Sequence, residues 1–253
     1  MKMTIVEGIV LKERPVGEQD KFIDVLTREK GIIELSVRGA RKINGKSGSS
    51  TQLFAYSRFC YDKRGERLCL NSAEPLHIFY GLRNSLTALT LAGYFAEVLR
   101  FCVSERVDSG NVLRLLLNTL HFLENGKRSE QLLKSIFELR LMSDIGFMPD
   151  VLACRECGVF EPEKLHFSVR EGYFLCDDCF GSAGGEGFIT MELPVLSAVR
   201  HIVLADFERI FNFRLSEKSG DELAFFSELY LTTHLERNFK TLDFYRSLLS
   251  GQI

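Results

Sequence analysis

The stretch "LTREKGIIELSVRGARK", from Leu26 to Lys42, decides the fold of the first part of this 253-residue chain. Apolar and polar residues alternate from Ile33 to Arg38, which is the period-two pattern of a strand with one buried face. A turn-forming Lys30-Gly31 precedes the alternation, and a basic loop follows it. The stretch therefore predicts a half-buried strand that leads into a positively charged connection.

Four similar segments surround this strand. They are short, rich in β-branched and aromatic residues and separated by turn residues: "TIVEGIVLK" (4–12), "KFIDVLT" (21–27), "LFAYSRFCYD" (53–62) and "RLCLNSAEP" (67–75). A long connection, "GARKINGKSGSSTQ", separates the third strand from the fourth. Five short strands with this spacing predict the closed barrel of an OB-fold over residues 1–80.

The pattern becomes helical after Pro75. Apolar residues follow helical spacing from Gly81 to Val103, then from Ser109 to Asn125 and from Ser129 to Gly146. Helices return after the "GSAGGEG" loop, with "LPVLSAVRHIVLA" and with a helix whose capping box would be Ser219 to Glu222. The fold class predicted is α+β: an OB-fold at 1–80 and an all-α domain at 81–253, with a four-cysteine zinc-finger insertion at 151–185.

The insertion has the spacing C-x2-C-x18-C-x2-C, formed by Cys154, Cys157, Cys176 and Cys179. Two residues between thiolates allow one tight turn to place both sulfurs on one ion, and two such turns complete a tetrahedron. The span between the pairs is predicted to be a hairpin that turns at Glu171-Gly172. These four residues are the predicted ligands of one structural zinc ion.

Other interpretations of the cysteines stay open. The thiols could be buried or form disulfides, and His166 could replace one of them. A catalytic zinc usually keeps one open position, which four thiolates would close. The insertion carries three basic and six acidic residues, which argues against a phosphate-binding finger.

Bulk composition sets wider limits. The 26% of charged residues and 45% of hydrophobic residues are ordinary for a globular protein. We find no signal peptide and no run long enough to span a membrane, so we expect a cytoplasmic protein with reduced thiols. Residues 1–80 carry 14 Lys/Arg against 10 Asp/Glu, whereas the remainder carries 18 against 24. This asymmetry indicates nucleic-acid contact by the barrel.

The basic residues at the end of the third strand and in the loop that follows are the first candidates for phosphate contact: Arg38, Arg41, Lys42 and Lys46. Weaker candidates in the same domain are Lys21, Arg28, Arg58, Lys63 and Arg64. Aromatic residues are interleaved on the fourth strand: Phe54, Tyr56, Phe59 and Tyr61. OB-folds stack bases on such rings, but the same rings could equally form the barrel core.

The chain shows no pattern of an active site. "ARKINGKS" ends like a phosphate-binding loop, yet Ala40 stands where the first glycine is needed and no helix can follow. The five histidines are scattered. We therefore expect a protein that is not an enzyme.

Several segments together resemble the RecO family of bacterial recombination-repair proteins. They are "GIVLKERPVGEQDK" (8–21), "LTREKGIIELSVRGARK" (26–42), "GLR" (81–83), "FELRLMSDIGFMP" (137–149), the two cysteine pairs with "HFS", and "LYLTTHLERNFKT" (229–241). The resemblance implies an OB-fold, a helical domain and a zinc-finger insertion in that order.

The resemblance also implies a function. Members bind single- and double-stranded DNA, anneal complementary strands and, with RecR and in some settings RecF, help RecA replace single-strand-binding protein on gapped DNA. Carried to this chain, this implies a nucleoid-associated recombination mediator whose helical domain docks proteins. The alternative is a protein-interaction adaptor with a structural zinc lobe and no direct role on DNA.

Overall fold

The computed structural model describes residues 3–39, 48–105 and 108–251. The chain forms two compact units. The first comprises Met1–Asn125 with Phe239–Ile253, and the second is Gly126–Asn238. The barrel thus shares its unit with helices, so the units do not follow the boundary at residue 80, which stays a prediction.

Five strands form the closed barrel of the first unit, in the order β1-β2-β3-β5-β4. Their bounds are Thr4–Val16, Asp20–Thr27, Gly31–Val37, Ala55–Arg64 and Arg67–Ile78 for β1 to β5. All neighbours are antiparallel except β3 and β5, which run parallel and complete the ring. This is the strand order of an OB-fold, so the predicted class is confirmed.

Alternation along the strands fills the barrel. On β3 the buried side chains are those of Ile33, Leu35 and Val37, as the period-two pattern predicts, and Gly31 continues the buried row. They join a core that also contains Val10, Ile23, Val25, Ala55, Phe59 and Tyr61. Gly8 lets β1 approach β2 closely, since a Cβ at this position would lie 2.5 Å from the Leu26 carbonyl oxygen. Strand β1 also runs beyond its predicted end and pairs Pro15 with Lys21.

Three helices complete the first unit: α1 (Leu86–Cys102), α2 (Gly110–Glu124) and α7 (Lys240–Leu249). The Ser85 hydroxyl caps α1 by accepting from the Ala88 N–H. Helix α7 packs against α1, where the rings of Tyr94 and Phe239 meet edge to face with centroids 5.9 Å apart.

The second unit combines helices with a three-stranded sheet. Its elements are α3 (Glu130–Asp144), β6 (Lys164–Ser168), β7 (Tyr173–Cys176), α4 (Asp177–Ala183), β8 (Phe188–Glu192), α5 (Leu193–Leu204) and α6 (Glu217–Leu235). The sheet order is β7-β6-β8, and the predicted hairpin turn lies between β6 and β7. Phe167 of β6 packs its ring on Phe226 of α6, with centroids 4.9 Å apart. The sheet is therefore part of the core of this unit.

Two local predictions were wrong here, and one strand was missed. The cap of α6 is Ser216, whose hydroxyl accepts from the Ser219 N–H, so the helix begins one turn before the predicted capping box. The first residues of the predicted exit loop, Gly181 to Ala183, belong to α4. Strand β8 was not predicted, although it pairs with β6 along its whole length.

In the part of the chain that the structure describes, we find no helix with the length and apolar character needed to cross a membrane.

Candidate metal centre and nucleic-acid surface

Two knuckles bring the four cysteines together. Cys154 and Cys157 lie on the turn before β6, Cys176 ends β7, and Cys179 lies in the first turn of α4. Their sulfur atoms all lie within 4.8 Å of one another, and the Sγ atoms of Cys157 and Cys176 are 3.6 Å apart. Four thiolates at about 2.3 Å from a zinc ion would be separated by about 3.8 Å. The cluster thus has the ligand types and the spacing of a tetrahedral metal site.

Backbone N–H groups prepare one of these sulfurs as a ligand. Burial raises the pKa of the Cys154 thiol, but N–H groups of Cys157, Cys176 and Glu156 point at its sulfur and together lower the pKa to about 6. The Cys176 N–H lies 3.3 Å from that sulfur. A thiolate is the form that binds metal, so this arrangement favours the liganding state at neutral pH.

His166 lies beside the cluster but outside it. Its Nε2 is 2.7 Å from an Asp177 carboxylate oxygen, and its ring stacks on Phe180 with centroids 3.9 Å apart. The imidazole and the neighbouring Lys164 hold the pKa of Asp177 below its ordinary value. Among the described residues the four cysteines form the metal-binding group, so the structure favours four thiolates over the histidine alternative.

Arg200 of α5 fixes the first knuckle. This arginine is 9% exposed, and its guanidinium donates to the carbonyl oxygens of Val151, Leu152 and Phe160 at 2.6, 2.8 and 2.5 Å. It also lies 4.0 Å from the ring centroid of Phe160. One side chain therefore joins both ends of the knuckle to the helical core.

Substituting this arginine should loosen the knuckle. For Arg200→Met we expect a loss of about 2–4 kcal/mol in the free energy of unfolding, because three carbonyls lose their donor. Arg200→Lys should recover only part of this, since an ammonium cannot reach all three oxygens at once. Urea unfolding with amide exchange over 151–160 measures both effects, and Arg209→Met on the exposed surface is the control. Full recovery by lysine would contradict the clamp.

The predicted phosphate contacts lie partly outside the described residues. Arg41, Lys42 and Lys46 belong to the segment that the structure does not describe. Arg38 is exposed where β3 ends, and the next N–H, of Gly39, donates to the Asp20 carboxylate at 2.8 Å. Asp20 thus fixes the point at which the basic loop leaves the barrel.

The weaker candidates for phosphate contact differ in the ion pairs and hydrogen bonds that they already make within the barrel. Lys21 is 7% exposed, and its ammonium donates to Glu13 and to the Thr51 carbonyl oxygen. Arg58 lies between two carboxylates, and Arg64 pairs with Asp62, whose pKa it holds below the ordinary value. The Lys63 ammonium nitrogen is 4.0 Å from a carboxylate oxygen of Glu66, whose side chain is almost fully exposed. Arg28 is exposed and makes no ion pair among the described residues.

The aromatic residues proposed as a stacking platform lie mostly in the core. Phe54, Phe59 and Tyr61 are at most 4% exposed, and only Tyr56 is partly accessible. Of the two readings left open by the sequence, core packing is therefore the one observed for these three rings. Phe54 also has a left-handed backbone, with φ of 61°, where its N–H donates to the Val10 carbonyl.

A different aromatic faces the outside of the barrel. Phe22 of β2 is half-buried and lines a groove of about 680 Å³ with Lys30, Lys63 and Arg67. The guanidinium carbons of Arg14 and Arg67 lie 5.8 and 6.0 Å from the Phe22 centroid. The period-two pattern of β2 could have identified Phe22 as an outward-facing residue, because Ile23 and Val25 point inward. Phe22 was not among the predicted stacking residues, which all came from the fourth strand.

The groove is not strongly basic. Its three cations face four carboxylates, those of Glu29, Glu34, Glu66 and Glu105. Arg14 is further paired with Asp24 and Glu34. Among the described barrel residues, the cations that make no ion pair are Lys12, Arg28, Lys30, Arg38 and Arg67.

Comparison with known proteins covers both parts of the chain. The model described as "Recombination protein O N terminal" matches residues 1–79, and "Recombination protein O C terminal" matches residues 83–243. The DNA repair protein RecO of Acetivibrio thermocellus is 32% identical over 241 residues, covering 95% of each chain. That of Symbiobacterium thermophilum is 30% identical over 255 residues, covering 100% of each. The barrel, the helical unit with its cysteine cluster and these matches agree: the chain belongs to the recombination protein O family of DNA repair proteins.

Proposed function

We propose that this chain is a recombination mediator that binds single- and double-stranded DNA through its barrel and anneals complementary strands. With RecR, and in some settings RecF, it helps RecA replace single-strand-binding protein on gapped DNA. The observation that carries the proposal is the family match over both parts of the chain. The work is done at the nucleoid in the bacterial cytoplasm, and no bond-making step is assigned to the chain.

Charge around the third strand supports the barrel as the DNA-binding part. Arg38 is exposed without an ion pair among the described residues, and three more cations follow it within eight residues of sequence. Phosphate contacts by Lys and Arg carry no base preference. Such phosphate contacts leave the hydrogen-bonding edges of the bases free. Annealing requires free base edges on both strands.

The groove beside Phe22 supports a path for single strands. Phe22 pairs with Ser36 across β2 and β3, two residues before Arg38. Arg67 approaches the same ring from β5. We propose that a single strand passes over Phe22, beside Arg14 and Arg67, to the basic loop, with a base stacked on the ring. Of the weaker candidates Arg28 and Lys63 remain in the proposed set, whereas Lys21, Arg58 and Arg64 are left out because carboxylates already hold them.

One zinc ion in the cysteine cluster completes the proposal. Four thiolates leave no position for substrate, so its contribution is structural. The division into a DNA-binding part at 1–80 and a protein-docking part at 81–253 is kept as part of the same proposal.

Binding across a salt series tests the proposed function. Filter binding with a labelled oligonucleotide of about 30 nucleotides should give a linear fall of log affinity with log salt, with a slope of several units. Single and double strands should both bind, and the chain should speed annealing of the complementary pair. Absence of binding to either form at low salt would favour the adaptor alternative.

The Phe22 ring gives a sharper test. We expect Phe22→Ala to weaken single-strand binding by about 1–3 kcal/mol and to leave the salt slope unchanged, because stacking involves no counterion release. Duplex affinity should stay within about twofold. Tyr80→Ala is the matched control, since Tyr80 is an exposed ring with Arg83 at 5.6 Å that lies outside the groove. Equal losses for both variants would argue against a stacking site at Phe22.

A further inference from the structure

Three apolar side chains on the first knuckle are unusually exposed. Leu152, Val159 and Phe160 are 55%, 38% and 53% exposed, although the backbone that carries them is tightly fixed. We call these three residues the knuckle patch. Neither the metal cluster nor the proposed DNA path uses them.

Hydrogen bonds fix the backbone beneath the patch. The carbonyl oxygens of Leu152 and Phe160 accept from one nitrogen of Arg200, at 2.8 and 2.5 Å. The Val159 carbonyl accepts from the Cys154 N–H at 2.9 Å, beside the metal cluster. Arg200 supports one side of the Phe160 ring. Little conformational entropy would be lost when a partner covers such a surface.

The surroundings of the patch are acidic. Glu156, Glu161 and Glu163 are all exposed and make no ion pair among the described residues. The nearby cation Arg155 lies over Tyr173, at 4.4 Å from the ring centroid. Residues 151–185 carry six acidic against three basic side chains, and four thiolates around a divalent ion would add two more negative charges.

We propose that the knuckle patch docks a basic, amphipathic segment of a partner protein. Its apolar side chains would cover Leu152, Val159 and Phe160, and its lysines or arginines would meet the three glutamates. Exposed apolar residues beside carboxylates of one sign are complementary to such a segment.

The same charges argue against the other occupants. DNA would bring phosphates toward carboxylates, and an acidic peptide would meet the same repulsion. A second copy of the chain would place like charges opposite one another across a symmetric contact. Of these occupants, only a basic amphipathic segment would interact favourably with both the apolar side chains and the carboxylates of this surface.

Model peptides can test the proposal on the full chain. The probe is a fluorescein-labelled helical peptide of about 15 residues with leucines on one face and lysines on the other. A matched peptide carries glutamate in place of lysine. Fluorescence anisotropy should show binding of the lysine peptide only, weakened at least about tenfold by Leu152→Ser and also by the pair Glu156→Gln and Glu161→Gln.

Matched substitutions elsewhere in the same unit are the controls. Leu204→Ser removes a leucine that is 47% exposed, and Glu217→Gln removes an exposed carboxylate of α6. Both should leave affinity within about twofold. The proposal is overturned if the lysine peptide fails to bind, if the patch variants bind it normally, or if the glutamate peptide binds equally well. Self-association that Leu152→Ser abolishes, seen by sedimentation, would also overturn it in favour of a second copy.

Discussion

Cys176→Ser should weaken metal binding more than a hundredfold and loosen both knuckles while the barrel keeps its affinity for DNA. Structural zinc contributes about 10–16 kcal/mol to folding of small domains. Divided over four ligands, this is roughly 3 kcal/mol for each thiolate, so metal affinity should fall more than a hundredfold. Cys176 is 5% exposed, and its N–H also supports the Cys154 sulfur, so the loss affects both knuckles.

The loss of structure should be confined to the two knuckles. Phe167 is fully buried and packs on Phe226 and Tyr230 of α6, so β6 has apolar partners that do not depend on a metal. Strand β8 pairs with β6 on the side away from β7. Amide exchange should therefore rise strongly around residues 154–158 and 176–180 and only slightly over β6.

Three measurements check this result: the zinc content of the purified chain, amide exchange by peptide, and DNA binding of the variant. Cys60→Ser is the control, because Cys60 lies on β4, outside the metal cluster. If the folded Cys176→Ser variant lost DNA binding, the metal site would take part in DNA contact. If all of Gly126–Asn238 unfolded, the sheet would depend on the ion.

The barrel was predictable because its strands follow simple local rules. Period-two alternation on β3 identified the inward residues, and turn residues separated the strands. The clustering of the four cysteines was predictable for a similar reason, since each pair lies within one tight turn and needs only one hairpin to meet the other. Both features depend on residues that are close in sequence.

Features set by distant contacts were missed. The segment from Phe188 to Glu192 is only five residues long; it begins with three strand-forming residue types, but its place as the outer neighbour of β6 is set by pairing with a strand that begins more than 20 residues earlier. The helix α6 begins at Ser216, although the later Ser219 has the better local pattern. Pairing with β6 decides the first case, and the hydroxyl of Ser216, which caps the helix, decides the second.

The cations of the barrel show the same limit of prediction from local sequence. Lys21 and Arg58 look like surface charges in the sequence, yet carboxylates on other strands hold both, whereas Arg64 pairs with Asp62 on its own strand. Arg58 meets Glu7 and Glu74 only because β1, β4 and β5 lie side by side. The register between strands therefore largely decides which cations remain available for DNA. A local sequence pattern does not contain that register.

The basic loop after β3 should carry the largest single share of DNA affinity. Changing Arg38, Arg41, Lys42 and Lys46 together to alanine is expected to reduce the salt slope for single strands by about 3 units. Four contacts at about 0.7 units each give about 2.8 units, which at about 0.1 M salt is a loss of roughly 600-fold in affinity relative to the extrapolation to 1 M salt. Fold stability should change little, because Arg38 is exposed and the loop leaves the barrel at a point fixed by Asp20.

A variant with the same change in net charge separates local contact from the general field of the protein. Four exposed cations of the second unit serve for this: Lys127, Arg170, Arg209 and Arg214. Changing them to alanine lowers the net charge equally while leaving the loop intact, and salt screens the general field over about 10 Å near physiological ionic strength. We therefore expect the control to lose less than about threefold. If both variants lost affinity equally, DNA would be held by the overall field and not by the loop, and the path over Phe22 would lose its endpoint.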